Sequence, residues 1–539
     1  MSAFITLDSL TFRSPDGRTL FEDLTLAFGR ERTGLVGRNG AGKTTLLRLI
    51  LGELEPTAGT VARLGRLAIL RQTLTPFPGA TLADLLAVTE PLRILARIDR
   101  GAGSDEDLAV ADWTLPTRLD AVLAEAGLTG MDLDRPTVSL SGGQATRAGL
   151  AALTLSRPDM ILLDEPSNTL DAEARASLIA FLRAWPGGAL IVSHDRMVLR
   201  QVERIVELSS LGARVYGGDF DAYAARKAEA AAAAERDRDG AEHALARIDR
   251  TVQAVRERKA RKDSDGRRAG LRNDMPKIVR GARAERAEGT GGRLNRTAER
   301  RRETVARDLE EARARVERAR FLAFDLPPSG LAPGKMALTF EAVTFAWPGR
   351  KPLVRNLSFR VAGPERLALL GPNGAGKSTA MALASGLLAP AAGRILVGAP
   401  AVMLDQRAAL LWEDQTLVEN FRRLNREASD NQARAALARF LFRNAAADKT
   451  VAALSGGERL RAALGCVLMA ARPPQMILLD EPTNSLDLDS IAALEGALLG
   501  YDGALIVASH DEDFLRAIGV IRTLVLGPDA VAFGFGSEA

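Results

Sequence analysis

The chain has 539 residues, of which 46% are hydrophobic and 26% charged, a composition typical of a globular protein with an apolar core. Its one cysteine, Cys466, excludes an intramolecular disulfide and favours a reducing compartment. Residues 1–10 lack the pattern of a secretory signal, and no apolar run approaches the roughly 18 residues that span a bilayer. We therefore expect a cytoplasmic protein without a membrane span, or at most one that is peripheral to a membrane.

The formal net charge of +4 is unevenly distributed along the chain. Residues 224–320 contain 28 Lys or Arg and 18 Asp or Glu, an excess of ten positive charges. The rest of the chain therefore carries a net charge of −6. A basic central segment between acidic flanks suits contact with a polyanion such as nucleic acid.

In chain order, the first chemical motif is a glycine-rich loop between a predicted short strand at residues 32–36 and an apolar periodic helix. The loop follows the pattern G-x-x-x-x-G-K-[ST], whose N–H groups and helix N-terminus face phosphate oxygens. Lys43 is predicted to hold the β- and γ-phosphates of ATP, and Thr44 to bind Mg²⁺. The predicted nucleotide-binding residues of this loop are Gly37, Arg38, Asn39, Gly40, Ala41, Gly42, Lys43, Thr44 and Thr45.

Three further motifs follow this loop. Gln72 comes after the next predicted strands, where an amide can contact Mg²⁺ and water. Asp164 ends an apolar strand and is predicted to support Mg²⁺, while the adjacent Glu165 is placed to polarise the attacking water as general base. His194 follows a second apolar strand and is predicted to contact the γ-phosphate. Each motif alone also has an ordinary explanation, as a surface Gln, a helix cap or a structural His.

A connector rich in Ala, Arg and Glu occupies residues 223–330. Apolar residues spaced three and four apart at 245–255 and at 305–319 predict two helices with heptad seams. The break between them, at 266–292, predicts an antiparallel helical hairpin with its tip at 275–283. The alternative is a solvated charged spacer, but the paired seams and the local excess of Arg favour a projecting arm.

The second half of the chain repeats every motif in the same order. Gln406 is as far from its loop lysine as Gln72 is from Lys43, and His510 is as far from Asp480 as His194 is from Asp164. The glycine-rich loop, a Leu-Ser-Gly-Gly motif, the strand that ends in Asp-Glu and the later His recur in one order, and four such motifs cannot be a chance match. The equal spacing also favours a functional role for the two Gln residues, so the ordinary explanations of the single motifs lose their force. The predicted residues of the second site are Gly371, Pro372, Asn373, Gly374, Ala375, Gly376, Lys377, Ser378 and Thr379 in the loop, Ser378, Gln406 and Asp480 as Mg²⁺ ligands, and Glu481 and His510 as catalytic residues.

Leu140-Ser-Gly-Gly-Gln144 and its repeat Leu454-Ser-Gly-Gly-Glu458 resemble the signature of ATP-binding-cassette ATPases, and the resemblance covers both halves. It implies an α/β fold with two P-loop ATP-binding-cassette domains joined by an α-helical hairpin linker, and hydrolysis of ATP to ADP and phosphate. It also implies that the signature of each domain caps the γ-phosphate bound by the other. The implied capping residues are Ser455 and Gly457 at the first site, and Ser141 and Gly143 at the second.

Two cassettes in one chain, with a charged helical linker and no membrane span, resemble the ABC-F subfamily. This resemblance implies a ribosome partner, with the basic linker reaching toward rRNA and the P-site tRNA. The expected domains are a first cassette at 1–222 with a short arm insertion near 95–115, a linker at 223–330 and a second cassette at 331–539. We expect a monomer whose two cassettes pair within one chain.

The resemblance also indicates where an aromatic side chain stacks on adenine. Aligning residues 10–15 with residues 343–348 puts Trp347 over the second adenine and Ser14 at the first, where Phe12 is a possible substitute. Phosphate and Mg²⁺ contacts look alike at the two sites. We therefore expect the second site to bind ATP more tightly.

Three functions are compatible with this organisation. A ribosome-associated ATPase that couples ATP binding and hydrolysis to modulation of translation is favoured, because a basic hairpin suits RNA. The DNA-acting relatives carry a C-terminal coiled coil, whereas this sequence stops at Ala539, soon after its last predicted strand. The ATPase subunit of a transporter usually has no long basic linker between cassettes.

Overall fold

In a computed structural model, the chain divides into two compact units, residues 1–223 with 322–539, and residues 224–321. The first unit contains both repeats, and the second contains the connector. The structure describes residues 3–15, 17–71, 77–168, 170–209, 212–270, 304, 305, 307, 309, 326–405, 408–484, 486–527 and 531–534.

The first repeat, here called the first cassette, combines two sheets with helices. Its strands are β1 (Ile5–Arg13), β2 (Thr19–Phe28), β3 (Arg32–Gly37), β4 (Ala58–Arg63), β5 (Leu67–Leu70), β6 (Met160–Asp164), β7 (Gly188–Val192), β8 (Arg204–Ser209) and β9 (Gly212–Gly217). Its helices are α1 (Lys43–Leu51), α2 (Leu82–Leu85), α3 (Thr89–Asp99), α4 (Asp105–Val110), α5 (Leu115–Glu125), α6 (Gly142–Ser156), α7 (Ala172–Ala184) and α8 (Arg196–Leu199), followed by α9 (Phe220–Gly270), which continues into the connector.

The second cassette repeats this plan. Its strands are β10 (Met336–Phe345), β11 (Val354–Ala362), β12 (Arg366–Leu370), β13 (Ala392–Val397), β14 (Ala401–Leu404), β15 (Met476–Asp480), β16 (Ala504–Ala508), β17 (Arg522–Val525) and β18 (Val531–Gly534). Its helices are α10 (Lys377–Ala384), α11 (Leu417–Leu424), α12 (Asp430–Arg439), α13 (Gly456–Leu468), α14 (Leu488–Leu499) and α15 (Glu512–Ala517).

The strand order is the same in both cassettes. The large sheets run β5-β6-β7-β3-β8-β9 and β14-β15-β16-β12-β17-β18, and the small antiparallel sheets run β2-β1-β4 and β11-β10-β13. In each large sheet the last strand is antiparallel and the others are parallel. The predicted α/β fold with two repeated domains is therefore confirmed.

The central strands are apolar on both faces because helices or the small sheet cover each side of the parallel sheet. In β6, Met160 and Leu162 pack into the core shared with α1 and the small sheet, whereas Ile161 and Leu163 pack against α7. Successive side chains thus alternate between the two faces of the sheet. The strand ends at Asp164, so the polar residues from Asp164 onward lie at the carboxyl edge of the sheet. Strands β6, β7 and β3 are neighbours, so the residues that follow each of them meet at that edge.

The helical parts of the cassettes differ in length. In the first cassette, α3 and α4 lie between α2 and α5, and the described part of the second cassette has no counterpart to them between α11 and α12. Residues from α2, α3, α5 and α6 share one apolar cluster, so the longer segment is packed onto the cassette.

The connector begins with α9, a helix of 51 residues and therefore about 75 Å long if straight. It continues beyond residue 266, where the sequence predicted a break. The predicted tip at 275–283 and most of the predicted second helix lie outside the described residues, so the hairpin and its heptad seams remain predictions. Within the described ranges, no helix combines the length and apolar character needed to cross a membrane.

Candidate active sites at the cassette interface

Both glycine-rich loops connect a central strand to a helix that begins at the loop lysine. Lys43 Nζ donates to the Gly37 carbonyl oxygen at 2.7 Å, and Lys377 Nζ donates to the Gly371 carbonyl oxygen at the same distance. Both lysine side chains are buried, and burial lowers the pKa of each ammonium. The loop carbonyls thus hold each ammonium over the cradle where the sequence predicts phosphates.

A hydroxyl and a carboxylate meet beside each loop. Thr44 Oγ1 donates to Asp164 Oδ1 at 3.4 Å, and Ser378 has an equivalent hydrogen bond to Asp480. Burial raises the pKa of both carboxyl groups, while the hydroxyl and the loop lysine oppose that rise. Each cassette therefore pairs the two predicted Mg²⁺ ligands that lie in the described part of the chain.

The glutamates after these aspartates have an unusual backbone conformation. Glu165 and Glu481 have positive φ angles of 48° and 46°, which cost non-glycine residues energy. Their N–H groups donate to the carbonyl oxygens of Val192 at 2.9 Å and Ala508 at 2.8 Å, so each is tied to the neighbouring strand. Such strain held by surrounding structure is common where a side chain must be aimed at a reaction.

Burial raises the pKa of Glu165 to about 8 and that of Glu481 to about 7. In each case the loop lysine opposes this rise. A carboxyl group with a pKa near neutrality is suited to accept a proton during a reaction. Both glutamates therefore have the electrostatic character expected of the predicted general bases.

Each predicted histidine lies against the glutamate of its own cassette. His194 Nε2 is 3.3 Å from Glu165 Oε1, and His510 Nε2 is 3.5 Å from Glu481 Oε1. Lys377 Nζ is also 2.8 Å from His510 Nε2. Burial and the nearby lysine lower the pKa of His194 to about 3 and that of His510 to about 4. Both imidazoles are therefore neutral at physiological pH.

Each loop is also contacted by an aspartate from the opposite cassette. The Asn39 N–H donates to Asp487 Oδ2 at 2.9 Å, and the Asn373 N–H donates to Asp171 Oδ2 at 3.4 Å. These aspartates also cap α14 and α7, so a helix N-terminus fixes their position. We did not predict this role, although Asp171 and Asp487 follow the two acid pairs at matched spacing and could have been found from the repeat.

A cavity accompanies each loop. The cavity at the first site has a volume of about 360 Å³ and that at the second about 420 Å³, within the range of small-molecule sites. The lining of the first includes Lys43, Glu165 and His194 from the first cassette, with Gly456 from the signature of the second. The described residues that line the second cavity all belong to the second cassette.

The four predicted signature residues lie at the start of helices. Ser141 and Ser455 cap α6 and α13, each in a reciprocal pair of hydrogen bonds with the residue three positions later. Gly457 directly follows the Gly456 that lines the first cavity. Gly143 lies in the first turn of α6. Helix N-termini carry positive potential, which suits a phosphate cap.

The predicted adenine contacts differ in exposure. Trp347 is 45% exposed and lies edge-on to Phe345, at a centroid distance of 5.3 Å. Phe12 is buried in the core of the first cassette, so it does not offer an open stacking face. Ser14 donates its hydroxyl to the Arg18 carbonyl oxygen at 3.0 Å. Gln72 and Gln406 lie outside the described residues.

The donors at each site are oxygen atoms, which Mg²⁺ prefers, and each site supplies one hydroxyl and one strand-ending carboxylate. In the described parts of the chain, no group of three or more His, Cys, Asp or Glu is arranged to hold a metal ion. Mg²⁺ commonly binds through few protein ligands together with substrate phosphates and water. These residues therefore fit an ion that arrives with a nucleotide.

Comparison with known proteins places these sites in a family. Residues 22–168 and 354–484 match the sequence profile described as ABC transporter. The tylosin resistance ATP-binding protein TlrC of Streptomyces fradiae is 34% identical over 95% of this chain and 95% of its own length. ABC transporter F family member 5 of Arabidopsis thaliana is 29% identical over 96% of this chain and 74% of its own. The chain belongs to the ABC-F family. It is therefore an ATPase with two ATP-binding cassettes, as predicted.

Another ABC-F relative is the energy-dependent translational throttle protein EttA of Mycobacterium tuberculosis, 30% identical over 96% of this chain and 90% of its own length. A chain in the crystal structure of archaeal ribosomal stalk protein aP1 with archaeal ribosome recycling factor aABCE1 has a TM-score of 0.61 and 18% identity, covering 98% of this chain and 90% of its own. The RNase-L Inhibitor structure has a TM-score of 0.56 and 17% identity, covering 98% and 91%. At these identities, the structural likeness shows the fold alone.

Proposed function

We propose that this ABC-F protein is a cytoplasmic, ribosome-associated ATPase that modulates translation by pairing and separating its cassettes around two ATP molecules. In this proposal, residues 1–222 and 331–539 form the cassettes, with the arm near 95–115, and residues 223–330 form a basic linker that contacts rRNA and tRNA. The protein acts as a monomer, because the cassettes of one chain complete each other's sites.

The observation that carries the proposal is the exchange of residues across the cassette interface. Asn39 in the first loop is bonded to Asp487 of the second cassette, and Gly456 lines the first cavity. Asn373 in the second loop is bonded to Asp171 of the first cassette. Because each loop is bonded to a residue of the opposite cassette, nucleotide occupancy is coupled to cassette pairing.

The side chains divide the proposed reaction into binding and proton transfer. Lys43 and Lys377 bind the β- and γ-phosphates, and Mg²⁺ held by the paired hydroxyl and carboxylate would neutralise charge on the phosphates. Glu165 and Glu481 orient the attacking water and accept its proton. The neutral histidines orient the γ-phosphate or the water beside each glutamate.

The ribosome is proposed from the family and from the charge of the linker. Relatives include a protein named as a translational throttle, and residues 224–320 carry an excess of ten positive charges. Phosphate contacts dominate the affinity of basic segments for RNA and make it sensitive to salt.

The test is co-sedimentation with ribosomes, combined with ATPase assays. Glu165→Gln with Glu481→Gln should abolish hydrolysis, retain ATP binding and accumulate on ribosomes with ATP, because the paired state persists. The matched control is Glu125→Gln, an exposed glutamate on α5, which should behave like the wild type. Wild-type hydrolysis by the double variant would reject the glutamates as bases. If ATP holds the double variant in the paired state but the protein does not co-sediment with ribosomes, the ribosome is rejected as its partner.

A further inference from the structure

The second site receives a contact from the first cassette that the repeat does not duplicate. Arg175 lies on α7, four residues after Asp171. Its Nη1 donates to the His510 carbonyl oxygen at 2.5 Å, and its Nε lies 2.9 Å from Asp195 Oδ2 of its own cassette. The Arg175 side chain is 15% exposed and that of Asp195 is 12% exposed, so solvent screens this contact weakly.

The contact fixes the main chain of a residue in the second site. His510 lies in the turn between β16 and α15, and its imidazole is 2.8 Å from Lys377 Nζ and 3.5 Å from Glu481 Oε1. A guanidinium can donate to a carbonyl and pair with a carboxylate through one rigid plane. Arg175 therefore ties the position of the His510 turn to the first cassette.

The position in the second cassette that is equivalent to Arg175 carries no arginine. Counting four residues from Asp487, the counterpart of Asp171, leads to Ile491. Ile491 is buried in the apolar core of the second cassette. The position that carries a guanidinium at one site therefore carries a hydrocarbon side chain at the other.

The charges around Arg175 are also distributed unequally between the cassettes. Arg196 Nη1 is 2.7 Å from Glu495 Oε1, and Arg200 Nη1 is 2.5 Å from Asp513 Oδ2. In these two pairs the first cassette supplies the cation and the second the anion. This charge complementarity favours pairing of a first cassette with a second cassette over pairing of two first or two second cassettes.

We propose that Arg175 is a positioning residue that acts across the cassette interface on the second site. This inference rests on the proposed roles of His510 and Glu481. When the cassettes pair, Arg175 holds the His510 turn so that the imidazole faces the loop lysine and the glutamate. Hydrolysis at the second site is thereby coupled to cassette pairing by a guanidinium whose equivalent position in the second cassette is the buried Ile491.

The experiment measures kcat and KM for each site separately. Glu165→Gln leaves the second site active, and Glu481→Gln leaves the first. Arg175→Ala should lower kcat at the second site by about ten-fold, the effect of losing about 1.4 kcal/mol from a charge-assisted hydrogen bond, and change KM little. At the first site, Arg175→Ala should lower kcat less than at the second, because there the arginine contacts only Asp195, the residue after His194. Arg175→Lys should recover part of the lost kcat, because an ammonium keeps the positive charge but not the planar set of donors of the guanidinium.

The matched control is Arg183→Ala, an exposed arginine near the end of the same helix, which should leave both sites unchanged. Equal losses at the two sites, or a rise in KM at both, would mean that Arg175 only stabilises the interface and would overturn the proposal. No loss at either site would overturn it as well. Failure of the glutamate assignment is recognised separately, because the Glu165→Gln, Glu481→Gln double variant would then still hydrolyse ATP.

Discussion

The two glycines at the start of the first loop should respond differently to the same substitution. A Cβ on Gly37 would lie 2.4 Å from the Leu208 carbonyl oxygen, a backbone atom that cannot move aside easily. Gly40 has a φ of 79°, and a Cβ there would meet nothing within 4 Å. Gly40→Ala therefore adds no clash in the nucleotide-free protein and imposes only the backbone cost of a left-handed alanine, about 1–2 kcal/mol.

If the loop must hold residue 40 in the left-handed conformation to bind phosphate, the conformational cost for alanine lowers the fraction of molecules whose loop can bind ATP. We expect Gly40→Ala to weaken ATP binding at the first site by about 5- to 30-fold, the factor that corresponds to about 1–2 kcal/mol. Gly40→Asn should weaken it less, because Asn tolerates the left-handed region better than Ala. The assay is nucleotide titration in a Lys377→Ala background, which disables the second loop.

Gly37→Ala supplies the contrast, since its clash with the sheet should lower the melting temperature of the nucleotide-free protein. Gly374, with a φ of 82° and open space around its Cβ, supplies the replicate at the second site. Unchanged ATP affinity in Gly40→Ala would show that the loop backbone is not the cradle. If the melting temperature of Gly40→Ala fell as far as that of Gly37→Ala, the loss of ATP affinity in Gly40→Ala could not be assigned to local backbone strain.

Three further predictions concern charge and stacking. Burial raises the pKa of Glu165 to about 8 from its usual 4.5, so the folded protein retains a proton that the unfolded chain releases. The free energy of unfolding that this proton contributes is fully present below pH 4.5 and is lost as the pH rises through 8. Glu165→Gln should therefore raise the melting temperature of the nucleotide-free protein increasingly from pH 5 to 8, and a flat difference would contradict this. Arg196→Glu should impair ATP-driven pairing by about 3–5 kcal/mol, and adding Glu495→Arg should restore part of the lost ATPase activity; no recovery would exclude a direct pairing. Trp347→Ala should weaken ATP binding at the second site by about 1–3 kcal/mol in titrations with the first loop disabled, whereas unchanged affinity would exclude stacking.

Much of the fold was predictable because its information is local and repeated. The strand–loop–helix units at the two loops, and the apolar strands that end at Asp164 and Asp480, are encoded in short segments whose pattern recurs at equal spacing. The repeat also predicted two domains of the same architecture. The α9 boundary was less predictable, since Arg and Ala continue the helix beyond residue 266 without a strong stop signal.

The candidate site was predictable in its chemical groups and less so in its partners. The lysines, acid pairs and histidines were identified from spacing, and the structure brings them together within each cassette. The contacts of Asp171 and Asp487 with the opposite loops were missed. The matched spacing singles out both aspartates, but the loop that each one contacts becomes evident only when the two cassettes are seen together.

The sequence by itself determined the family and the two loops with their lysines and acids, since each depends on residues near one another in the chain. Only the tertiary structure decided that Asn39 pairs with Asp487, that Phe12 is buried, and that Arg175 contacts His510 while Ile491 lies in a core. The pKa values of Glu165 and Glu481 also depend on the fold, because desolvation comes from residues that fold around them. Two sites built from nearly the same motifs differ, therefore, through contacts between residues hundreds of positions apart.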